Sequence, residues 1–422
     1  MKSFVGGRLL VLNCALVSLG IALSILFSYL AFIQITNEYL GYQVISYGAS
    51  DYFLMAGAGM LLMQLLKNGV RLPSDFFPFI YVLFVLLPFC VLHKIRGEID
   101  DGALIIGIML LVFPLMAFSL SRRIRYQVAF SGFLSWRQAM VVLFVILAIA
   151  ALLLASSGIP SSSFDIESSY GRRLEGRDAF QTGALASYVV SMVSNSVLPL
   201  IAFWSGYSRR VHMFVIAVCG CLLMYFYLGL KAPFLYIVVG FAFALTVRSG
   251  AVFHSKKMFA YVVLLVFSLF FVELITFDYS YIGDYLLRRA FAVPPFLISA
   301  YFEMFFNANE YWDLAKGNLL DQPITMVMGE YLGDPTLNAN TNSFLYALGS
   351  TGWGGYIFDV LLVCAVFNFM DRLYIGRRDP ALLWLGFLFS LLLVEQSSKT
   401  ALVSSGIALA VLLSLFGRYP VR

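Results

Sequence analysis

Charge is what this sequence has least of. Only 12% of its 422 residues are Asp, Glu, Lys or Arg, against the roughly 25% of an ordinary soluble domain. With 61% hydrophobic residues and a mean hydropathy of +0.87, no soluble interior is large enough to hide the apolar surface. Strict apolar/polar alternation is also missing. Met140–Ala155 and Ala401–Leu415 are apolar on every face, which excludes the ten-residue alternating strands of a membrane β-barrel. The five cysteines sit inside apolar runs with no Cys-x-x-Cys pair, so neither a disulfide framework nor a zinc site is suggested. Of the three histidines, His93, His212 and His254, none falls in a long loop, and there is no Asp-x-Asp motif. The expectation is a protein with no metal and no cofactor.

What is present is a series of apolar runs near the 20 residues that an α-helix needs to cross ~30 Å of hydrocarbon. The fold class is all-α, a polytopic membrane protein. Twelve runs read as spans: 9–33, 51–66, 76–93, 102–120, 139–158, 184–205, 211–229, 233–247, 258–277, 346–370, 381–394 and 400–416. The first follows Lys2 and Arg8 and is too long for a signal-peptide core, so it reads as an uncleaved span. With both termini in the cytoplasm, 18 of the 28 basic residues fall on the inner side, although the outer side owns the longer loops; this is the positive-inside pattern. The net charge of +5 then reflects cytoplasmic anchoring and gives no sign of nucleic-acid binding.

Two outer segments stand apart within this single membrane domain. One is 159–183. The other is 278–342, the longest stretch outside the membrane, and it is crowded with aromatics, among them Tyr281, Tyr285, Phe296, Tyr301, Phe302 and Trp312. Such a loop is folded, because disordered segments are poor in aromatics. Pro294-Pro295 opens an apolar run to Phe306 that is too short to span and suited to lie in the headgroup plane as an interfacial helix. No internal repeat is visible.

Arginines carry the chemistry. Arg172, Arg173 and Arg177 share one outer loop and Arg288 and Arg289 the other, against the positive-inside bias. Arginine grips phosphate bidentately and never loses its charge. Taken singly, each is as well explained by snorkelling or by pairing with Glu167, Glu175, Asp178 or Asp284. Two clusters facing one compartment point instead to an anionic lipid. Lys231, in Leu-Gly-Leu-Lys-Ala-Pro, sits at a depth where a lysine needs water, a carboxylate or an anion. The run Glu98-Ile99-Asp100-Asp101 reads as a solvated turn balanced by Lys94 and Arg96. By location alone, Glu303, Glu330 and Asp334 are the candidates for a general base, and Tyr331 lies among them.

Three segments carry a family likeness. Arg172 is followed by ten residues and then Gly183; Asn340-Thr341-Asn342-Ser343-Phe344-Leu345 leads into Gly349 and Gly352-Trp353-Gly354; and Lys231 stands just after a glycine. With the two outer loops, the later one dominant, this resembles the O-antigen polymerase (Wzy-type) family, in the superfamily that also holds O-antigen ligases. Ligases place a histidine before the loop asparagine; here Thr341 stands there, which favours polymerase. The resemblance implies a glycosyltransferase at the outer face of a bacterial inner membrane, working on undecaprenyl diphosphate-linked oligosaccharides among membrane lipids, with a chain-length regulator protein as a further partner. On that reading Arg288, Arg289 and Arg172 are catalytic, while Arg173, Arg177, Lys231, Asn340, Asn342 and Tyr331 bind substrate. The alternatives are a lipid-linked oligosaccharide flippase or other transporter, and an O-antigen ligase.

Overall fold

A computed structural model describes residues 2–122, 134–156, 184–307, 323–334 and 337–418. Among the described residues each of the twelve apolar runs is largely helical. Among the described residues nine helices are long and apolar enough to cross a membrane: α1 (Leu10–Thr36), α2 (Ala49–Lys67), α3 (Pro73–Leu92), α4 (Asp101–Ser121), α5 (Trp136–Ser156), α6 (Ala186–Ser208), α7 (Val211–Leu228), α9 (Ala251–Phe277) and α12 (Ser343–Arg377). Three apolar helices are shorter, α8 (Ala232–Arg248), α13 (Ala381–Glu395) and α14 (Ile407–Phe416). Between α9 and α12, among the described residues, lie a π-helix, Gly283–Ala292, and two further helices, α10 (Val293–Asn307) and α11 (Ile324–Tyr331). Among the described residues the only strand pairing is a two-residue parallel contact of Leu134–Ser135 with Gly417–Arg418. The chain is an all-α polytopic membrane protein.

Local chemistry sets the helix ends. Asp100 accepts from the amides of Gly102 (3.0 Å) and Ala103 (3.2 Å) to cap α4, the usual role of Asp at this position. Gly229, at φ +64°, closes α7 in the left-handed conformation that glycine adopts without strain. Straight, the 35 residues of α12 would run about 50 Å, well beyond a hydrocarbon core, and Gly352 breaks the run with φ +67° and ψ −161°.

The core is built around α3. Its apolar window is 83% buried, against 22% for α2 and α9, so α3 is the inner helix and the other two turn most of their surface outward. α13 packs against its start, with Gly386 so close to Pro73 that an added Cβ would come within 2.5 Å of the Pro73 carbonyl oxygen. α6 and α8 form the most intimate pair.

At the end of the bundle opposite the 278–342 segment, basic side chains close the structure. Arg122 pairs with Asp75 at 2.7 Å. Arg248 donates to the Tyr207 carbonyl (2.7 Å), and Arg377 to those of Ser414 (2.7 Å) and Gly417 (2.8 Å). Cations on the free carbonyls of helix C-termini satisfy both hydrogen bonding and the helix dipole.

Two expectations are corrected. The run from Pro294 to Phe306 does not present an apolar face outward: Phe296, Leu297, Ile298, Ala300, Tyr301, Phe302 and Phe305 are all buried, and Ser299 donates to the His93 carbonyl at 3.1 Å. An interfacial helix leaves about half its surface to lipid; α10 is enclosed by protein. The run 400–416, read as one span, is broken. A π-turn at Thr400–Ser404 is followed by Gly406 at φ +78°, and only then does the ten-residue α14 begin.

The orientation read from the charge asymmetry is open to direct test. Cysteines at the exposed positions Glu98 and Asn340 are expected to react with an impermeant maleimide added outside cells, while those at the exposed positions His254 and Gly376 stay unlabelled until the membrane is permeabilised. External labelling at Gly376 overturns the arrangement.

Candidate functional site

The π-helix presents Arg288 and Arg289, and its position is tightly fixed. Glu273, at the end of α9, accepts from the Ser280 hydroxyl (2.5 Å) and the Ile282 amide (3.0 Å), and the Ser280 hydroxyl in turn accepts from the Gly283 amide at 2.9 Å. A side chain at Gly283 would meet Phe32 of α1 at 2.7 Å and Phe270 of α9 at 2.8 Å, so glycine lets this helix start against both. π-Helical turns are rare and recur at functional sites.

Arg288 is part-buried. Its Nε donates to Asp284 Oδ1 at 2.9 Å and to the Asp284 carbonyl at 3.1 Å, and its guanidinium reaches the Tyr42 hydroxyl. Burial pushes the Tyr42 phenol up to about 12, with Arg288 and then Arg289 pulling the other way. Arg289 is exposed.

The Tyr42 ring packs on Phe296 of α10, centroids 4.9 Å apart, and the Arg96 guanidinium lies over the same Phe296 ring at 4.8 Å. Arg96 is on the short connection between α3 and α4, held to the first loop by the Gln43 amide donating to the Ile95 carbonyl at 2.9 Å. Three loops that are distant in sequence thus bring Arg96, Arg288 and Arg289 around a floor of Tyr42 and Phe296. Glu303, two helical turns further along α10, accepts from two nitrogens of Arg96: Nε at 3.1 Å to Oε1 and 3.0 Å to Oε2, and Nη2 at 2.9 Å to Oε2. Tyr331 hydrogen-bonds the same carboxylate, and burial together with Glu303 raises its phenol.

No family model, curated protein or solved structure matches this chain. What the site does is therefore argued from its own residues.

The structure brings Arg288, Arg289, Glu303 and Tyr331 to one end of the bundle and joins Glu303 to Tyr331. Lys231 is exposed before α8, on the hairpin formed by α7 and α8. Asn342 is 1% exposed and its Oδ1 accepts from the Leu345 amide at 3.2 Å, which makes it the cap of α12. Asn340 is exposed beside it, and Glu330 and Asp334 are exposed on and after α11. Arg172, Arg173, Arg177 and Gly183, with the rest of the 159–183 loop, lie outside the described residues.

The acidic run is divided between two tasks. Glu98 pairs with Lys94 at 3.2 Å, and Asp100 caps α4. Lys94 also meets Asp51 at 3.0 Å, which is buried against His93 at 3.2 Å. Among the described residues no group of three or more His, Cys, Asp or Glu is placed to hold a metal ion. Sequence reasoning missed Arg96 and Tyr42. A signal for Arg96 existed, since it is a basic residue in a short loop that the charge asymmetry reads as outer, where that bias disfavours one.

Proposed function

We propose that this protein is a polysaccharide polymerase of the outer face of a bacterial inner membrane. It transfers a growing glycan from an undecaprenyl diphosphate carrier to a lipid-linked repeat unit. The observation that supports this most is the convergence of Arg288, Arg289 and Arg96 on an aromatic floor at one end of the bundle. A diphosphate leaving from a lipid anchor lies at headgroup depth, and it needs donors placed in advance where its charge develops. Guanidinium groups meet phosphate oxygens two at a time. Arg288 and Arg289 hold the leaving diphosphate in this reading, and Arg172, Arg173 and Arg177 hold the second lipid-linked substrate. Arginines supply the charge without a metal or cofactor.

One observation favours the transporter reading, because broken helices are a habit of transporters. The break before α14 meets a π-turn in α6, where Asn195 Nδ2 donates to the Ser405 hydroxyl at 3.3 Å and the Ser196 hydroxyl to the Ser405 carbonyl. Gln396 Nε2 reaches the same hydroxyl at 2.9 Å. These groups satisfy one another and none is charged, which suits a packed joint better than a pathway. Deleting the gene distinguishes the two: loss of a polymerase leaves surface glycan of a single repeat unit, whereas loss of a flippase removes surface glycan altogether.

A further inference from the structure

Glu303 is the only charged residue in the fifteen of α10, and its partner Arg96 is 207 positions away. The plain explanation is a strut that ties the large loop to the α3–α4 connection. A partly exposed pair of that kind is worth ~1 kcal/mol or less, and on an enclosed apolar helix the desolvation of both charges opposes even that. A strut does not account for the rest of the arrangement. The guanidinium that Glu303 occupies lies on the same Phe296 ring as Tyr42, and Tyr42 meets Arg288. Glu303 offers that guanidinium two oxygens in a fork, the geometry in which it also takes a phosphate. Tyr331 hydrogen-bonds the same carboxylate.

From this we infer that Glu303 is the general base of the transfer, and that Arg96 is a third diphosphate-binding group for which Glu303 stands in until substrate arrives. The inference rests on the polymerase reading and deepens it. The diphosphate of the donor lipid takes Arg96 from Glu303. The freed carboxylate, oriented by Tyr331, accepts the proton of the acceptor sugar hydroxyl. That oxygen bonds to the anomeric carbon of the donor glycan as the bond from this carbon to the diphosphate oxygen breaks. The electron pair leaves on the diphosphate, where Arg96, Arg288 and Arg289 meet it. A carboxylate held bidentately is a poor base, so the exchange also keeps the site inactive toward water until a donor is bound.

The test uses the purified full-length protein, with undecaprenyl diphosphate as the binding probe and lipid-linked repeat units isolated from a strain lacking this gene for turnover. Glu303→Gln is expected to bind undecaprenyl diphosphate severalfold more tightly, because the competing anion is gone, and to lose kcat by about 100- to 10,000-fold, the range for a general base, without a rise in KM. Arg96→Ala is expected to weaken binding by tenfold or more. The double variant Arg96→Glu/Glu303→Arg keeps the ion pair with the charges exchanged and is expected to fold but remain inactive. Three results overturn the inference: Glu303→Gln with undiminished kcat, Glu303→Gln with weakened probe binding, or polymer restored in the charge-exchanged variant. If the wild-type protein itself forms no glycosidic bond, the polymerase reading fails instead.

Discussion

Cells carrying Arg288→Ala should display glycan of one repeat unit and no polymer. The replaced side chain leaves its Asp284 partner at 2.9 Å, but a part-exposed pair of this kind contributes only ~1 kcal/mol, so the variant still folds. The catalytic loss is larger. One donor to a developing oxyanion is worth on the order of 3 kcal/mol, or 100-fold in rate, and chain growth multiplies that deficit at every added unit. Arg289→Ala is expected to act in the same direction. Arg288→Lys keeps the charge but not the fork, so short chains are expected. On the proposed reading the single-unit form is expected to persist, because its transfer and export would depend on other proteins. A transporter would behave differently, with loss of all surface glycan. Full-length polymer from Ala variants at normal abundance would make these arginines headgroup anchors and pass the role to Arg172, Arg177 and Lys231.

The second large effect is on folding itself. Gly206→Val is expected to abolish recovery of monodisperse protein from detergent. At this position α6 meets α8 backbone to backbone: an added Cβ would lie 2.7 Å from the Phe241 carbonyl oxygen and 3.0 Å from Ala244 Cβ. Gly240 answers from the other helix, with the Pro199 carbonyl oxygen 3.1 Å away from its would-be Cβ. Small residues at such crossings are what lets membrane helices pack, since lipid offers no hydrophobic penalty for separation. Overpacking in a filled interior costs ~1–3 kcal/mol or more, and here the obstacle is backbone, which cannot rotate aside. Gly57→Ala on α2, where nothing lies within 4 Å, is the matched control and should be neutral. Equal yields and equal thermal stability for Gly206→Val and wild type would show that α6 and α8 do not depend on this contact.

The helices were legible because hydrocarbon thickness imposes a length and an apolar composition that a sequence displays openly. Their inner arrangement was less so. The Pro294–Phe306 run has the same composition whether it lies on a bilayer or inside a bundle, and only its contacts with His93 and the α12 side reveal enclosure. The break at Gly406 hides within uniformly apolar residues, since it arises from packing on Met192 and Ser196. Arg288 and Arg289 stood out in sequence as charges where charge is disfavoured. Arg96 did not, because its partners Glu303 and Phe296 are some 200 positions away and the nearer Glu98 offered a simpler explanation. Asn342 carries a local role as well. An asparagine just before a helix is a common cap, and that local role was readable beside the more distant one assigned to it.

The most direct test of an arginine-based transfer at the outer face is reconstitution. Protein in liposomes, given undecaprenyl diphosphate-linked repeat units in EDTA, should build a ladder of longer glycans and release one undecaprenyl diphosphate for each linkage formed. Passage of the lipid-linked unit from one leaflet to the other with no new glycosidic bond, or a ladder that forms only when magnesium is restored, would contradict it.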